Sequence, residues 1–199
     1  MPPRGLLIAF EGLDQSGKQT QAELLRDRLT VDGRRVRLLS FPDYTTPIGT
    51  EIGRALHGSR EYGPDVMQLL YIANRYEWKS EIVRETQEGT VVVCDRYLAS
   101  SVAYGVAHDL DAVWLLDVQK YLPQPDLTVL LDIPPEASVR RKRTDRDRYE
   151  RDLALLARVR DSYCRQANTD SWVRIDAERD RNLVAGDVYA AVAALLERS

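Results

Sequence analysis

The first residues of this chain that could do chemistry form a glycine loop near the N-terminus, residues 12–20, with the sequence GLDQSGKQT. An apolar segment precedes the loop, and a helix predicted from about Gly17 to Val31 follows it. Glycines let successive backbone N–H groups point at phosphate oxygens, and the start of a helix adds partial positive charge. Lys18 would then bridge the β- and γ-phosphates of a nucleotide. The spacing predicts a phosphate-binding loop, or P-loop, with these candidate contacts: Gly12, Gln15, Ser16, Gly17, Lys18, Gln19 and Thr20.

One position departs from the usual P-loop pattern. The lysine is followed by Gln19, where a Ser or Thr hydroxyl normally helps to hold Mg²⁺. The Gln19 amide oxygen could still accept a metal ion or a metal-bound water, and Thr20 is the next candidate. Asp95 ends another apolar segment, where a carboxylate suits a hydrated Mg²⁺. We therefore expect Asp95 and Gln19 as metal ligands. The adjacent Arg96 would clamp a second phosphate; the alternative is an ordinary surface ion pair between Asp95 and Arg96.

Short apolar segments alternate with segments of helical period along the whole chain. The apolar segments are continuous, as expected for strands buried on both faces of a parallel sheet. They are Leu6–Phe10, Val36–Ser40, Thr90–Asp95, Leu127–Ile133 and Trp172–Asp176. Helical period marks the segment after the glycine loop, the segment after Glu150 and the C-terminal segment. This order predicts an α/β fold: a doubly wound, five-stranded parallel sheet flanked by helices.

Composition excludes several classes of protein. The chain has 199 residues, of which 44% are apolar and 30% charged, so it can bury a core and is expected to form one domain over residues 1–199. A net charge of −3 argues against a globally basic nucleic-acid binder. No apolar run approaches the ~20 residues that span a bilayer, and we find no secretory signal. Cys94 and Cys164 form neither a CxxC pair nor a zinc spacing. We expect a cytoplasmic protein that binds neither nucleic acid nor membrane.

A basic segment, Val139–Arg148, stands out in this acidic chain. It holds six cations: Arg140, Arg141, Lys142, Arg143, Arg146 and Arg148. A solvated helix face would explain them, and so would a role in binding phosphate. P-loop proteins include switches, motors and small-molecule kinases. The sequence contains no Asn-Lys-x-Asp guanine reader, so a GTPase switch is not expected.

At this point the chain resembles the thymidylate kinases, P-loop enzymes that phosphorylate dTMP with ATP. The resemblance runs from about Leu6 to Ala177. It rests on six motifs in matching order: Phe10-Glu11-Gly12-Leu13-Asp14, Phe41-Pro42-Asp43-Tyr44, Tyr71-Ile72-Ala73-Asn74-Arg75-Tyr76-Glu77, Asp95-Arg96-Tyr97-Leu98-Ala99-Ser100-Ser101, Leu122-Pro123-Gln124-Pro125-Asp126-Leu127 and Arg148-Tyr149-Glu150.

The resemblance implies roles for the acceptor side of the site. Tyr71 would stack on the thymine ring, and Arg75 would donate to a thymine carbonyl. Ser100 and Ser101 occupy positions where the family places small polar groups near the base. Tyr104 would lie beneath the deoxyribose, where a 2′-hydroxyl would clash.

The resemblance also implies the reactive groups. Asp14 would contact the 3′-hydroxyl and help to organise the metal, and Arg96 would lie near both the acceptor phosphate and the transferred group. Phe41, Tyr44 and Tyr149 complete the expected substrate contacts. The family further implies ATP and Mg²⁺ as cofactor and metal, dTMP as acceptor and a homodimer.

Two departures from one branch of the family concern charge. Gln15 and Tyr44 stand where some members carry arginines. Members without the loop arginine are expected to supply that cation from a LID, a flap that closes over ATP, here about residues 138–150. The catalytic candidates in the LID are Arg143, Arg146 and Arg148.

The predicted reaction is transfer of the γ-phosphoryl of MgATP to dTMP, giving dTDP and ADP. The acceptor phosphate is already an oxyanion, so no general base is needed, and His57 and His108 are expected to be structural or surface residues. Two alternatives remain open. One is a kinase for another nucleoside or monophosphate; the other is a nucleotide-binding regulatory module without catalysis, which Gln19 and Tyr44 would favour.

Overall fold

The structure, a computed structural model, describes residues 4–141 and 149–197. Strands and helices alternate through most of this chain. In order they are β1 (Leu7–Glu11), α1 (Lys18–Val31), β2 (Val36–Ser40), α2 (Pro47–Leu56), α3 (Pro64–Glu77), α4 (Lys79–Gln87), β3 (Val91–Asp95), α5 (Leu98–Ala107), α6 (Ala112–Val118), β4 (Leu127–Asp132), α7 (Pro135–Arg141), α8 (Tyr149–Gln166), β5 (Trp172–Asp176) and α9 (Arg181–Leu196).

The five strands form one parallel sheet in the order β2-β3-β1-β4-β5. From β1 the chain crosses to the edge strand β2, returns to β3 beside β1, and then continues on the other side of β1 through β4 to β5. Ligands of such sheets bind beyond the carboxyl ends of the strands where the order reverses. Here that point lies between β1 and β3, whose ends are in register: Phe10 pairs with Asp95. The loop after β1 and the residues after β3 therefore meet at this edge.

Alternation along β1 sends its side chains into two separate cores. Ile8 and Phe10 join the core that includes residues of α1 and α9, whereas Leu7 and Ala9 join the core that includes residues of α3 to α6. Because side chains of a strand alternate between faces, Glu11 shares the face of Leu7 and Ala9. The sheet is therefore covered on both sides, which explains its continuous apolar strands.

The predicted fold class is confirmed: the sheet is parallel, five-stranded and flanked by helices. The predicted bounds of β2 and β5 are those observed. Three strands differ by one residue at an end or at both: β1 begins and ends one residue later, β3 begins one residue later, and β4 ends one residue earlier. The basic LID candidates Arg143, Arg146 and Arg148 lie outside the described residues.

A cluster of charges at the end of β4 ties three elements together. The Asp132 carboxylate accepts hydrogen bonds from Arg160 Nε (2.7 Å) and Nη2 (2.9 Å) of α8 and from Arg174 Nη2 (2.6 Å) of β5. Burial acts to raise the pKa of Asp132, but the two arginines outweigh it and hold that pKa below its ordinary value. The cluster fixes α8 against the sheet through Arg160.

We predict that Asp132→Asn lowers the free energy of unfolding at pH 7 by about 1–3 kcal/mol, because charge-assisted hydrogen bonds to two arginines are lost. A carboxyl with a depressed pKa stabilises the fold above its unfolded-state pKa, and this contribution disappears as pH falls through the folded-state value. The difference between variant and wild type should therefore narrow in acid. Urea unfolding followed by circular dichroism measures both effects.

The matched control is Asp117→Asn, which removes an exposed ion pair with Lys120 (2.9 Å). An exposed pair contributes about 0–1 kcal/mol. Equal losses in the two variants would contradict the structural role of the Asp132 cluster.

Candidate active site

Two glycines give the loop after β1 its shape. Gly12 has φ 138°, and a Cβ built on it would lie 2.4 Å from the backbone oxygen of Leu131 in β4. Gly17 has φ 93° and is the N-cap residue of α1. Both positions use the left-handed side of backbone space, which glycine enters without steric cost. The predicted turn from strand to helix is therefore present, with the start of α1 facing the sheet's carboxyl edge.

Lys18 is the buried cation of this loop. Its side chain is only slightly exposed, and Nζ donates to the Leu13 carbonyl at 2.8 Å. Burial, together with the nearby Arg96, lowers the pKa of Lys18 to about 7, although the carboxylates of Asp95, Asp14 and Glu11 act in the opposite direction. A group whose charge is so disfavoured gains strongly from an incoming anion.

Helix α7 holds the glycine loop from the other side. The Ser138 hydroxyl donates to the Asp14 carbonyl at 2.7 Å. Arg141 donates to the Gln15 carbonyl at 3.0 Å and to the Ala177 carbonyl, after β5, at 3.1 Å. These contacts were not predicted, because nothing in the pattern of the loop points to residues more than 120 positions away.

The metal candidates differ in their surroundings. Asp95 Oδ1 is buried and has no hydrogen-bond partner among the described residues, and burial raises the pKa of this carboxyl while Lys18 opposes the rise. Such an oxygen fits a hydrated Mg²⁺, which needs only one or two carboxylates. Gln19 lies on the exposed face of α1, where its amide nitrogen donates to Glu23 at 3.0 Å. The described residues contain no group of three or more metal-binding side chains.

A cavity of about 500 Å³ opens beside the glycine loop. It is walled by the loop after β2, by α3 and by α5. Nine of the predicted substrate contacts line it: Asp14, Phe41, Tyr44, Tyr71, Arg75, Arg96, Ser100, Ser101 and Tyr104. Residues that are up to 90 positions apart are thus brought together around one cavity. For Tyr149 the structure describes only its place at the start of α8.

Arg75 supplies a fork of donors at the buried end of the cavity. Its side chain is 3% exposed, Nη1 donates to the Ser101 hydroxyl at 2.6 Å, and Nε is buried without a partner among the described residues. Burial lowers the pKa of Arg75, although an arginine stays charged at any ordinary pH. The free donor fits an acceptor oxygen of a ligand.

Arg96 lies between the glycine loop and the cavity. Its φ is 63°, and its guanidinium forms an ion pair with Asp14 and donates weakly to the Gly12 carbonyl at 3.4 Å. The same guanidinium lies over the Tyr104 ring, 5.4 Å from the ring centroid. The alternative of an ordinary pair between Asp95 and Arg96 is wrong, because Arg96 pairs with Asp14 instead.

The loop after β2 is fixed by α3. The Asn74 side chain accepts from the Asp43 backbone N–H at 2.8 Å and donates to the Thr46 hydroxyl at 2.8 Å, and Trp78 Nε1 donates to the Asp43 carboxylate at 3.0 Å. This loop carries Tyr44, whose side chain is half exposed. Burial raises the pKa of Tyr44, so that its hydroxyl stays a neutral donor.

The residues that line the outer part of the cavity were not predicted from the sequence. Met67 and Gln68 line it one helical turn before Tyr71, and His108 lines it one turn after Tyr104. Counting back by three and four residues from Tyr71 would have found the first two. The expectation that His108 is only structural or on the surface is incomplete, since this exposed side chain also borders the cavity. His57 is exposed, with Nδ1 2.6 Å from the Gly53 carbonyl oxygen.

Sheet order, glycine loop and cation-lined cavity together define a nucleotide kinase of the α/β class. The family model for thymidylate kinase matches residues 10–188. The chain therefore belongs to the thymidylate kinase family, whose members transfer a phosphoryl group from ATP to dTMP.

Individual relatives agree with this membership. The chain is 38% identical to the thymidylate kinase of Schizosaccharomyces pombe over 148 residues, which are 74% of this chain and 70% of that one. It is 34% identical to the thymidylate kinase of Dictyostelium discoideum over 189 residues, 94% and 85% of the two chains. The solved structure of the thymidylate kinase from Candida albicans superposes with a TM-score of 0.86 at 30% identity, covering 98% of this chain and 94% of that one. In the described part of the chain, no helix is both long and apolar enough to cross a membrane.

We predict that MgATP binding at pH 8 takes up roughly one proton per site, because Lys18 is mostly neutral before binding and a polyphosphate raises its pKa. At pH 6 Lys18 is already charged, and its uptake should approach zero. Isothermal titration calorimetry in buffers of different ionisation enthalpy measures the proton number.

The Lys18→Met variant should lose this uptake, whereas the exposed Lys120→Met should keep it. Equal uptake by Lys18→Met and wild type would show that another group titrates.

Proposed function

We propose that this chain transfers the γ-phosphoryl group of MgATP to the 5′-phosphate of dTMP, giving dTDP and ADP. The position of Arg96 carries the proposal: its guanidinium contacts the glycine loop through Asp14 and Gly12 and also lines the acceptor cavity. A group in that place can contact both anions during transfer. Family membership favours this function over a kinase for another acceptor or a module without catalysis.

The donor triphosphate would be held by the glycine loop acting as a P-loop, with backbone N–H groups of residues 12–20 and the start of α1 facing phosphate oxygens. Lys18 would exchange its bond to the Leu13 carbonyl for the β- and γ-phosphates. Asp95 would hold Mg²⁺ through its unpartnered oxygen, with Gln19 as the further candidate ligand. When bound, the metal neutralises charge that develops on the phosphates.

The acceptor would lie in the cavity between α3 and α5. Tyr71 stacks on the thymine, and the free donor of Arg75 reaches a base carbonyl. Ser101 keeps Arg75 in place through its short hydrogen bond. Tyr104 fills the space beneath the sugar, and Asp14 reaches the 3′-hydroxyl. These roles combine donors for the base with an acceptor for the sugar hydroxyl, which is what a pyrimidine deoxynucleotide requires.

Catalysis then reduces to bringing two anions together. Two like unit charges about 4 Å apart repel by ~4 kcal/mol at an effective dielectric of ~20. The acceptor phosphate needs no general base, so catalysis depends on preorganised cations that stabilise the transition state. Lys18 and Arg96 supply two of them. Because Gln15 and Tyr44 add no charge, the further cation is proposed to come from Arg143, Arg146 or Arg148 in a LID of about residues 138–150. Tyr149 in the same segment is proposed as a substrate contact.

The chain as a whole is proposed to act as one kinase domain within a homodimer. Exposed apolar side chains on α3 (Val66 and Leu69) and on α6 (Val113 and Leu116) support an assembly of two copies. Both cysteines, Cys94 and Cys164, are unpaired, which fits the reducing cytoplasm.

The first test is ADP production from MgATP with dTMP, dUMP, dCMP, dGMP and thymidine as acceptors. We expect dTMP to be the preferred acceptor, and Lys18→Ala to lower kcat by about 10²–10³-fold while circular dichroism stays that of the wild type. Lys120→Ala, which removes an exposed lysine, is the control. Absence of turnover with dTMP and MgATP would refute the proposed function.

A second test addresses the sugar. Tyr104→Ala should lower the preference for dUMP over UMP, measured as the ratio of kcat/KM, by about tenfold, because the ring excludes the 2′-hydroxyl. Tyr104→Phe should keep the preference, since the ring and not the hydroxyl provides the exclusion. Unchanged discrimination in Tyr104→Ala would contradict this role.

A further inference from the structure

Glu11, the last residue of β1, is a buried carboxylate that the proposed mechanism does not use. Its side chain is 0% exposed and accepts four hydrogen bonds. Burial of a carboxylate in an apolar core is costly unless donors satisfy it. All four donors lie on residues that surround Arg96 in space, so this carboxylate is placed to act on that arginine.

The Oε1 atom caps helix α5. It accepts from the backbone N–H of Tyr97 at 2.8 Å and of Ser100 at 3.2 Å. Tyr97 is the N-cap residue of α5 and makes no side-chain cap of its own, so Glu11 supplies the acceptor that an N-cap Ser or Asp would normally provide. Arg96 immediately precedes this cap with φ 63°. The carboxylate thereby helps to fix the backbone from which Arg96 extends.

The Oε2 atom orients two hydroxyls. It accepts from Ser100 Oγ at 2.6 Å and from Tyr163 Oη of α8 at 3.2 Å, and these two hydroxyls are 2.9 Å apart. Each hydroxyl has a single proton, which is used toward Glu11 or toward the other hydroxyl. Their lone pairs are left for Arg96 Nη1, which lies 3.3 Å from Ser100 Oγ and 3.5 Å from Tyr163 Oη.

We propose that Glu11 is a positioning residue for Arg96, acting through Ser100 and Tyr163, and that its negative charge is what orders these hydroxyls. The inference rests on the proposed function, in which Arg96 contacts both phosphates. One end of Arg96 is then held by the ion pair with Asp14, and the other by two hydroxyls that Glu11 fixes as acceptors. Substrate binding can replace the Asp14 contact while the Glu11 network keeps the guanidinium between the two ligands.

Glutamine is the informative replacement for Glu11 because it has nearly the same shape. Its amide has one acceptor oxygen and one donor nitrogen, so it cannot accept from all four donors at once. At least one hydroxyl or N–H must turn away or lose its bond. The negative charge that faces Arg96 is lost as well.

The experiment measures kcat, both KM values and thermal stability for Glu11→Gln and Tyr163→Phe. Displacing a catalytic group slightly can lower the rate about 10²-fold, so we expect kcat to fall about 10²-fold in Glu11→Gln and about tenfold in Tyr163→Phe. The KM for ATP should change less than about twofold, because neither residue contacts the glycine loop's phosphate-facing N–H groups.

Tyr97→Phe is the matched control for Tyr163→Phe. Tyr97 is equally buried and adjoins Arg96 in sequence, but its hydroxyl has no partner among the described residues. Tyr97→Phe should leave kcat within about twofold of the wild type, because deleting this hydroxyl removes no hydrogen bond that holds Arg96. Tyr163→Phe also serves alone if Glu11→Gln does not fold.

Combination with Arg96→Lys separates positioning from general stability. If Tyr163 and Glu11 act through the guanidinium fork, adding Tyr163→Phe to Arg96→Lys should cost less than about twofold in kcat, because coupled residues are non-additive. The proposal is overturned if Tyr163→Phe behaves like Tyr97→Phe, or if its full effect persists beside Arg96→Lys. Wild-type kcat in Arg96→Lys alone would instead overturn the proposed role of Arg96.

Discussion

The site depends on basic side chains that are held largely away from water. Lys18, Arg75 and Arg96 are all largely buried within one edge of the sheet, where a lone charge would be strongly disfavoured. Carboxylates make this arrangement tolerable: Asp14 pairs directly with Arg96, while Glu11 and Asp95 act on Lys18 over a longer distance. The compensation is incomplete for Lys18, whose pKa falls to about 7. Binding of two phosphorylated ligands is therefore favourable, because their negative charge stabilises the buried basic side chains.

Strand pairing alone brings these opposite charges to the same edge of the sheet. Parallel strands end on one side, so that Glu11 at the end of β1 and Asp95 at the end of β3 come together when the strands pair in register. Helix α5 then starts directly beyond Asp95 and directs Ser100, Ser101 and Tyr104 toward α3. The strand order therefore determines where the cavity lies. Helical spacing along α3 and α5 then determines which side chains line it.

This explains why much of the site could be predicted from the sequence. The glycine loop is a local motif: its glycines and Lys18 lie within residues 12–20, and their spacing is typical of a turn between a strand and a helix. Tyr71 and Arg75 lie four residues apart on one helix, so that recognising one motif places both. The hydrogen bonds from α7 to the glycine loop, and from Tyr163 to Glu11 across 152 positions, have no local signal. They arise from how α7 and α8 pack, which depends on contacts such as the Asp132 cluster that a single sequence does not reveal.

Charge balance links the described site to the basic segment. Tyr44 stays neutral, Gln15 carries no charge, and Arg141 already donates to the carbonyls of Gln15 and Ala177. Among the described cations of the site, Lys18 and Arg96 are the proposed phosphate contacts, whereas Arg75 donates to Ser101 in the cavity. The negative charge on two ligands with five or more negative oxygens is greater than two cations can offset in a medium of reduced dielectric. The proposed metal ion and the proposed arginine of the LID would supply the positive charge that Lys18 and Arg96 leave missing.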